Sequence, residues 1–277
     1  MRLGAPVFVT YDEPETWATA VRAKGYRAAY CPVQPGADAA TVQAYRSAAA
    51  QHDIVIAEVG AWSNPLNPDP AIRKAALEKC QASLALADQI GARCCVNIAG
   101  SRGDKWDGPH PADLTEETFD LIVATVREII DAVQPKQSYY TLETMPWMYP
   151  DSVDNYLRLI QAIDRPSCAA HFDPVNLVNS PQRYFRTGDL IRDFVKKLGP
   201  HIRSCHVKDI ALDKRLTVHL DEVRPGLGGL DYVALFHAAK SLATDLPLML
   251  EHLPNENEYD LAAAHIRAVA QQEGISL

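Results

Sequence analysis

Short β-branched or aromatic runs alternate with longer amphipathic stretches along the whole of this chain, eight of each in 277 residues. Strict alternation predicts parallel strands joined by crossover helices. Eight such units, at a length near the roughly 250 residues of a (β/α)8 barrel, predict an α/β fold of that class: a single TIM-barrel domain over 1–277. An open doubly wound sheet would carry a glycine-rich first turn for a nucleotide, and the segment after the first expected strand, Thr10-Tyr11-Asp12-Glu13-Pro14, contains no glycine.

The pattern places strands at about 5–10, 26–31, 53–58, 93–98, 138–143, 167–173, 202–207 and 247–251. Helices are expected at about 14–24, 38–51, 69–90, 115–133, 152–163, 182–198, 231–243 and 257–273. Asp69-Pro70, Thr115-Glu116-Glu117 and Asp151-Ser152 open the third, fourth and fifth helices by offering oxygens or negative charge to unpartnered N–H groups. Gly25, Gly91 and Gly199 stand where the first, third and sixth should stop, as left-handed caps would require. Two loops are long: Ala99 to His110 after the fourth strand, and Asp209 to Leu230 after the seventh. Both emerge at the face where barrel chemistry sits and are candidate lids.

A composition of 47% hydrophobic and 22% charged residues is that of an ordinary globular chain. The net charge of −8 and the lack of any basic run argue against a nucleic-acid partner. No apolar stretch has the length of a signal peptide or membrane span, so the expectation is a soluble, cytoplasmic protein with a small-molecule partner; a homo-oligomer stays open. Six cysteines without a C-x-x-C pair fit buried free thiols better than disulfides or a zinc ribbon.

Four apolar runs in the second half end in side chains that bind metals: Glu143, Asp173, His206 and Glu251 close the fifth to eighth expected strands. A lone acidic residue at a strand end is usually a cap or an ion-pair partner. Four on consecutive strands converge at one barrel mouth. Three carboxylates and one imidazole suit one divalent, redox-inactive ion, Mn²⁺ first, with Mg²⁺, Co²⁺ or Zn²⁺ also compatible.

The segments Thr141-Leu142-Glu143-Thr144, His171-Phe172-Asp173-Pro174, Cys205-His206-Val207-Lys208-Asp209, Arg224 to Asp231 (RPGLGGLD) and Leu250-Glu251 together resemble the xylose isomerase-like barrel superfamily. Within it the chain is similar to the sugar phosphate isomerase/epimerase family, which includes ketose 3-epimerases, inosose isomerases and dehydratases, and hydroxypyruvate isomerases. The resemblance implies Glu143, Asp173, His206 and Glu251 as metal ligands, with Glu143 and Glu251 doubling as acid and base on opposite faces of an α-hydroxyketone. Ketose 3-epimerases usually place a histidine three residues after the aspartate ligand. This chain has Asn176 there, which favours the other branches.

Several neighbours are candidates around the site. His171 shares the strand face of Asp173 and either acts at the substrate or is a core-satisfied histidine. Lys208 follows His206 by two and could stabilise an enolate or protonate a leaving group. Glu58, Asn97, Asn176 and Arg224 are candidate substrate contacts, the arginine for a phosphate or carboxylate. Trp106 and Trp147, with Trp62, follow strand ends and could wall a pocket, whereas Trp17 lies in a helix and fits packing.

The ligand pattern together with this resemblance implies a metal-dependent isomerase or epimerase acting on a sugar, keto-sugar or cyclitol by proton transfer through an ene-diolate. The alternative is a lyase on the same barrel, an inosose-type dehydratase or a 3-keto-glycoside eliminase. An apurinic-site nuclease would need a histidine-rich multi-metal centre and a basic face, neither of which this acidic chain offers. A barrel that binds a sugar without turning it over is the remaining rival.

Overall fold

In the computed structural model, which describes residues 1–243 and 245–277, eight parallel strands close into a barrel. They are β1 (Arg2–Gly4), β2 (Ala28–Tyr30), β3 (Val55–Gly60), β4 (Cys94–Asn97), β5 (Tyr140–Glu143), β6 (Cys168–Phe172), β7 (Ile202–His206) and, after a hairpin of β8 (Asp209–Leu212) and β9 (Leu220–Val223), β10 (Pro247–Met249). Closure comes from β1 against β10, with Arg2 opposite Pro247, Leu3 opposite Leu248 and Gly4 opposite Met249. The surrounding helices are α1 (Pro14–Ala23), α2 (Ala39–Gln51), α3 (Pro70–Ile90), α4 (Glu116–Val133), α5 (Val153–Ile163), α6 (Pro181–Tyr184), α7 (Thr187–Leu198), α8 (Tyr232–Ala239) and α9 (Glu256–Gln272). Their apolar faces bury Ile129, Leu159, Phe194 and Ile266 against the outside of the sheet.

The expected helix starts form as the capping chemistry demands. Asp69 accepts from the N–H groups of Ala71 and Ile72, at 2.7 and 3.2 Å, Thr115 from Thr118 at 3.3 Å, and Ser152 from Asn155 at 3.3 Å. Gly25 and Gly91 are left-handed, at φ 71° and 77°. Gly199 is not: its φ of −44° is helical, because the chain runs on into a tight turn over Gly199–His201 before β7.

Four expectations need correction. The first strand is Arg2–Gly4, not 5–10. Gly4 lets the backbone of Ala28 and the sulfur of Met249 approach so closely that a Cβ would overlap both, while Phe8 and Val9 lie in an exposed loop. The third strand runs to Gly60, so Glu58 lies inside it and not at its end. The sixth helix breaks at Phe185–Arg186 into α6 and α7. The long loop after β7 folds its first half into the antiparallel pair β8–β9, with Asp209 opposite Val223 and Leu212 opposite Leu220.

One α3 side chain fixes how the chain approaches β5, which carries Glu143. Asp88 Oδ1 accepts from the backbone N–H groups of Lys136, Gln137 and Ser138, at 2.8, 2.7 and 2.9 Å. Burial works against its charge, but these three donors outweigh it and hold its pKa below the ordinary aspartate value. Asp88→Ala should therefore cost about 1–3 kcal/mol in urea unfolding at pH 7. Because the folded pKa is depressed, the wild-type advantage should be complete above the unfolded aspartate pKa of about 4 and disappear as pH falls through the lower folded value.

Candidate metal centre and active site

Extended backbone puts alternate residues on one face, so Glu143, His171 with Asp173, Ser204 with His206 and Lys208, and Met249 with Glu251 all point into the barrel. Glu143, Asp173, His206 and Glu251 each offer one ligand atom, and these four atoms lie within 4.8 Å of one another. His206 Nδ1 is 2.9 Å from Glu143 Oε1, 2.9 Å from Glu251 Oε1 and 3.9 Å from Asp173 Oδ2. Asp173 Oδ1 accepts from the N–H groups of Val175 and Asn176, at 2.9 and 3.2 Å, which turns Oδ2 toward the other ligands.

The donor set fits a divalent cation. Asp173 Oδ2 and Glu251 Oε1 are buried without a directed hydrogen bond, a costly state for carboxylate oxygens unless a cation takes them up. The Lys208 ammonium, buried beside them at 2.7 and 2.9 Å, is a compensating charge. It does not suffice: burial, with Glu143 and Glu251 adding to it against the pull of Lys208, pushes the Asp173 pKa up to about 7. Burial also opposes ionisation of Glu143 and Glu251, yet His206 outweighs it and lowers both. Burial disfavours charge on His206, but Glu251, Glu58 and Glu143 raise its pKa well above the usual value. These residues hold more negative charge than their own cations neutralise, and oxygen-rich sites of this kind suit hard or borderline divalent ions.

Above the four atoms opens a cavity of about 520 Å³, walled by Trp62, Trp106 and Trp147 and floored by Glu143, Glu251, Lys208 and Asn176. The three tryptophans keep 37–39% of their surface exposed. Their positions are nonetheless tied down: Trp147 Nε1 donates to Asp107 O at 2.9 Å, Ser101 N to Trp106 O at 3.1 Å, and Lys79 Nζ to Trp62 O at 2.9 Å. Asn176 Nδ2 donates to Glu143 Oε1 at 3.3 Å, and its Oδ1 lies 3.4 Å from Lys208 Nζ.

Other expected contacts lie elsewhere. Asn97 points out of the barrel toward α3, bonding Ser63 N and Ser63 O at 3.2 Å each and Cys80 Sγ at 3.4 Å; it holds the loop of Trp62 and does not line the cavity. Arg224 is engaged by Glu258 of α9 at 2.9 Å and also lies outside it. Glu58 and His171 sit beneath the four ligand atoms, bonded to each other at 3.0 Å and sealed from the cavity. Residues that the sequence pattern passed over do line the cavity, among them Tyr30, Glu222, His252 and Tyr259. Glu222 belongs to the hairpin, and its carboxylate lies 3.5 Å from Lys208 Nζ. Only the hairpin's fold-back brings it there, so no strand-end pattern could mark it.

A family model described as xylose isomerase-like TIM barrel matches residues 18–269. The chain belongs to that family. Among curated proteins, none matches it in sequence. Solved structures that it resembles include endonuclease IV from Thermus thermophilus (TM-score 0.72, 11% identity, covering 98% of this chain and 100% of that one). D-psicose 3-epimerase with D-tagatose from Clostridium cellulolyticum (0.70, 14%, 98% and 99%) and the probable 3-DHS dehydratase AsbF from Bacillus anthracis (0.70, 16%, 98% and 99%) are similarly close. At these identities the likeness is one of fold, and it joins enzymes of different chemistry on one barrel. No described helix is long and apolar enough to cross a membrane.

In this xylose isomerase-like barrel one carboxylate organises the segment after the hairpin. Buried Asp209 accepts from the N–H groups of Gly226 at 2.9 Å, Gly228 at 3.1 Å, Leu230 at 2.9 Å and its own neighbour Ile210 at 2.9 Å. The loop wraps so tightly that a Cβ on Gly228 would overlap Asp209 and the Ile210 backbone. Asp209→Ala should lower stability by about 3–5 kcal/mol, since it orphans several N–H groups at once. Gly228→Ala should destabilise in the same direction; thermal unfolding measures both, and an unchanged Tm in either would contradict this role for Asp209.

Proposed function

We propose that this protein is a divalent-metal-dependent isomerase or epimerase that moves a proton next to the carbonyl of a sugar, keto-sugar or cyclitol. The observation that carries the reading is the pair Glu143 and Glu251, each 2.9 Å from His206 Nδ1 and both facing the tryptophan-walled cavity. Glu143, Asp173, His206 and Glu251 would hold the ion, Mn²⁺ first among Mn²⁺, Mg²⁺, Co²⁺ and Zn²⁺. Such an ion supplies Lewis-acid polarisation of the substrate carbonyl, which acidifies the neighbouring C–H.

The rest falls to the chain's own groups. Glu143 and Glu251, delivered by β5 and by the segment after β10, approach the cavity floor from different strands, so one can take a proton and the other return it. Asn176 steadies Glu143 through its amide. Lys208 keeps its proton, because the carboxylates of Asp173, Glu251, Glu143 and Glu222 outweigh its burial. Its fixed positive charge then favours negative charge building on a substrate oxygen. Trp62, Trp106 and Trp147 offer apolar faces to the C–H groups of a bound substrate. The six cysteines are free, in keeping with a reducing cytoplasm.

A lyase outcome is favoured by one feature, the extension of the apolar walls past the carboxylates into a cavity of about 520 Å³, within the roughly 300–1,000 Å³ of drug-sized ligand sites. Proton NMR in D2O with free ketoses, cyclitol ketones and their substituted derivatives separates the two. Deuterium uptake at the carbon beside the carbonyl, with the carbon–oxygen bonds intact, supports the isomerase, and loss of water or of a substituent supports the lyase.

Chelation followed by gel filtration should abolish turnover and lower Tm, and a divalent ion should restore both. Glu143→Gln and Glu251→Gln should each cut kcat by about 10²–10⁴-fold. Full activity in either variant, or in the chelated protein, would refute the reading. Ion affinity should rise with pH by up to about tenfold per unit while His206 remains protonated in the free protein, because the proton on Nδ1 must leave before the ion binds.

A further inference from the structure

Beneath the four ligand atoms the barrel interior holds a second polar group, contributed by β3, β6 and β7. Glu58 Oε1 lies 2.9 Å from His206 Nε2, while Oε2 lies 3.0 Å from His171 Nε2 and 2.9 Å from Ser204 Oγ. Glu58, His171, Ser204 and His206 are at most 1% exposed, so no solvent competes for these bonds. An ionised carboxylate can only accept hydrogen bonds, and three groups within 3.0 Å must therefore all donate to it. Both imidazoles then carry their proton on Nε2. For His206 that leaves Nδ1 as the nitrogen that faces Glu143, Asp173 and Glu251.

We propose that Glu58 is the positioning residue of the metal centre: it fixes His206 as the Nε2–H tautomer and aims the Nδ1 lone pair at the ion. The inference rests on the metal-dependent reading above and assigns work to a residue outside the four ligands. His171 and Ser204 hold the second oxygen of Glu58, so the carboxylate cannot rotate away from His206. A hydrogen-bonded carboxylate behind a histidine ligand fixes ring orientation and raises its basicity. Glu58, His171 and His206 also have the spacing of a metal-binding trio. His206 cannot lend Nε2 to an ion there and Nδ1 to the upper ion without losing both ring protons, which favours the hydrogen-bonded arrangement.

Glu58→Gln is the test. Glutamine keeps the shape but has one acceptor oxygen, and its NH2 would face a ring N–H or a hydroxyl. Mn²⁺ affinity, followed by EPR titration without substrate, should fall about 10–100-fold in the variant. Native folding of the variant is checked by circular dichroism. In Zn²⁺-loaded wild type, ¹⁵N NMR of His206 should show the proton on Nε2, and the ¹H resonance of that N–H should move upfield in Glu58→Gln as it loses a charged acceptor, a change that a glutamate not bonded to the ring would not give. Unchanged Mn²⁺ affinity in folded Glu58→Gln, a proton on Nδ1, or two ions bound per chain would each overturn the proposal and leave the function standing. Wild type that binds no Mn²⁺ would overturn both.

Discussion

Crowded negative charge around one imidazole governs the upper barrel. Glu143, Asp173 and Glu251 meet His206 Nδ1 from one side while Glu58 meets Nε2 from the other. Like charges this close repel strongly in a medium of low polarisability, so the arrangement needs cations to persist. Lys208 is one, fully buried yet held charged by four carboxylates. Burial, with Glu143 and Glu251 adding to it, still pushes the Asp173 pKa up to about 7 against the pull of Lys208. Glu143, Asp173, His206 and Glu251 could hold a cation at this point.

The barrel makes that concentration possible. The parallel strands are staggered, with Glu143 opposite His171 and Met249 opposite His206, so the four ligands reach one point from different levels of the barrel. Glu143 and His206 end their strands, and Asp173 and Glu251 follow theirs by one and two residues, so all four stay close to the sheet. Beneath them Glu58, His171 and Ser204 form a hydrogen-bonded floor, where an apolar layer would leave the imidazole free to turn.

The mouth follows different rules. Its walls come from loops after β3, β4 and β5, which place Trp62, Trp106 and Trp147 through backbone and side-chain hydrogen bonds. The hairpin β8–β9 adds Glu222, and Asp209 ties the following glycine-rich segment to its base. An epimerase, a dehydratase and an endonuclease share this barrel fold, so the chemistry is set by the site a barrel carries and not by the fold itself.

The barrel was legible in the chain itself, through alternating periods and eight units, and so were Glu143, Asp173, His206 and Glu251, because each interrupts an apolar run where a strand must end. Capping residues such as Asp69 and Ser152 were equally legible, since a cap acts on its own next turn. Contacts between distant segments were needed to turn Glu58 inward and Asn97 outward, to bind Arg224 to Glu258, and to carry Glu222 to the cavity. Strands of a parallel barrel are buried on both faces, so their runs lack the polar alternation that reveals which way a residue points. Register and fold-back supply the direction that local pattern does not.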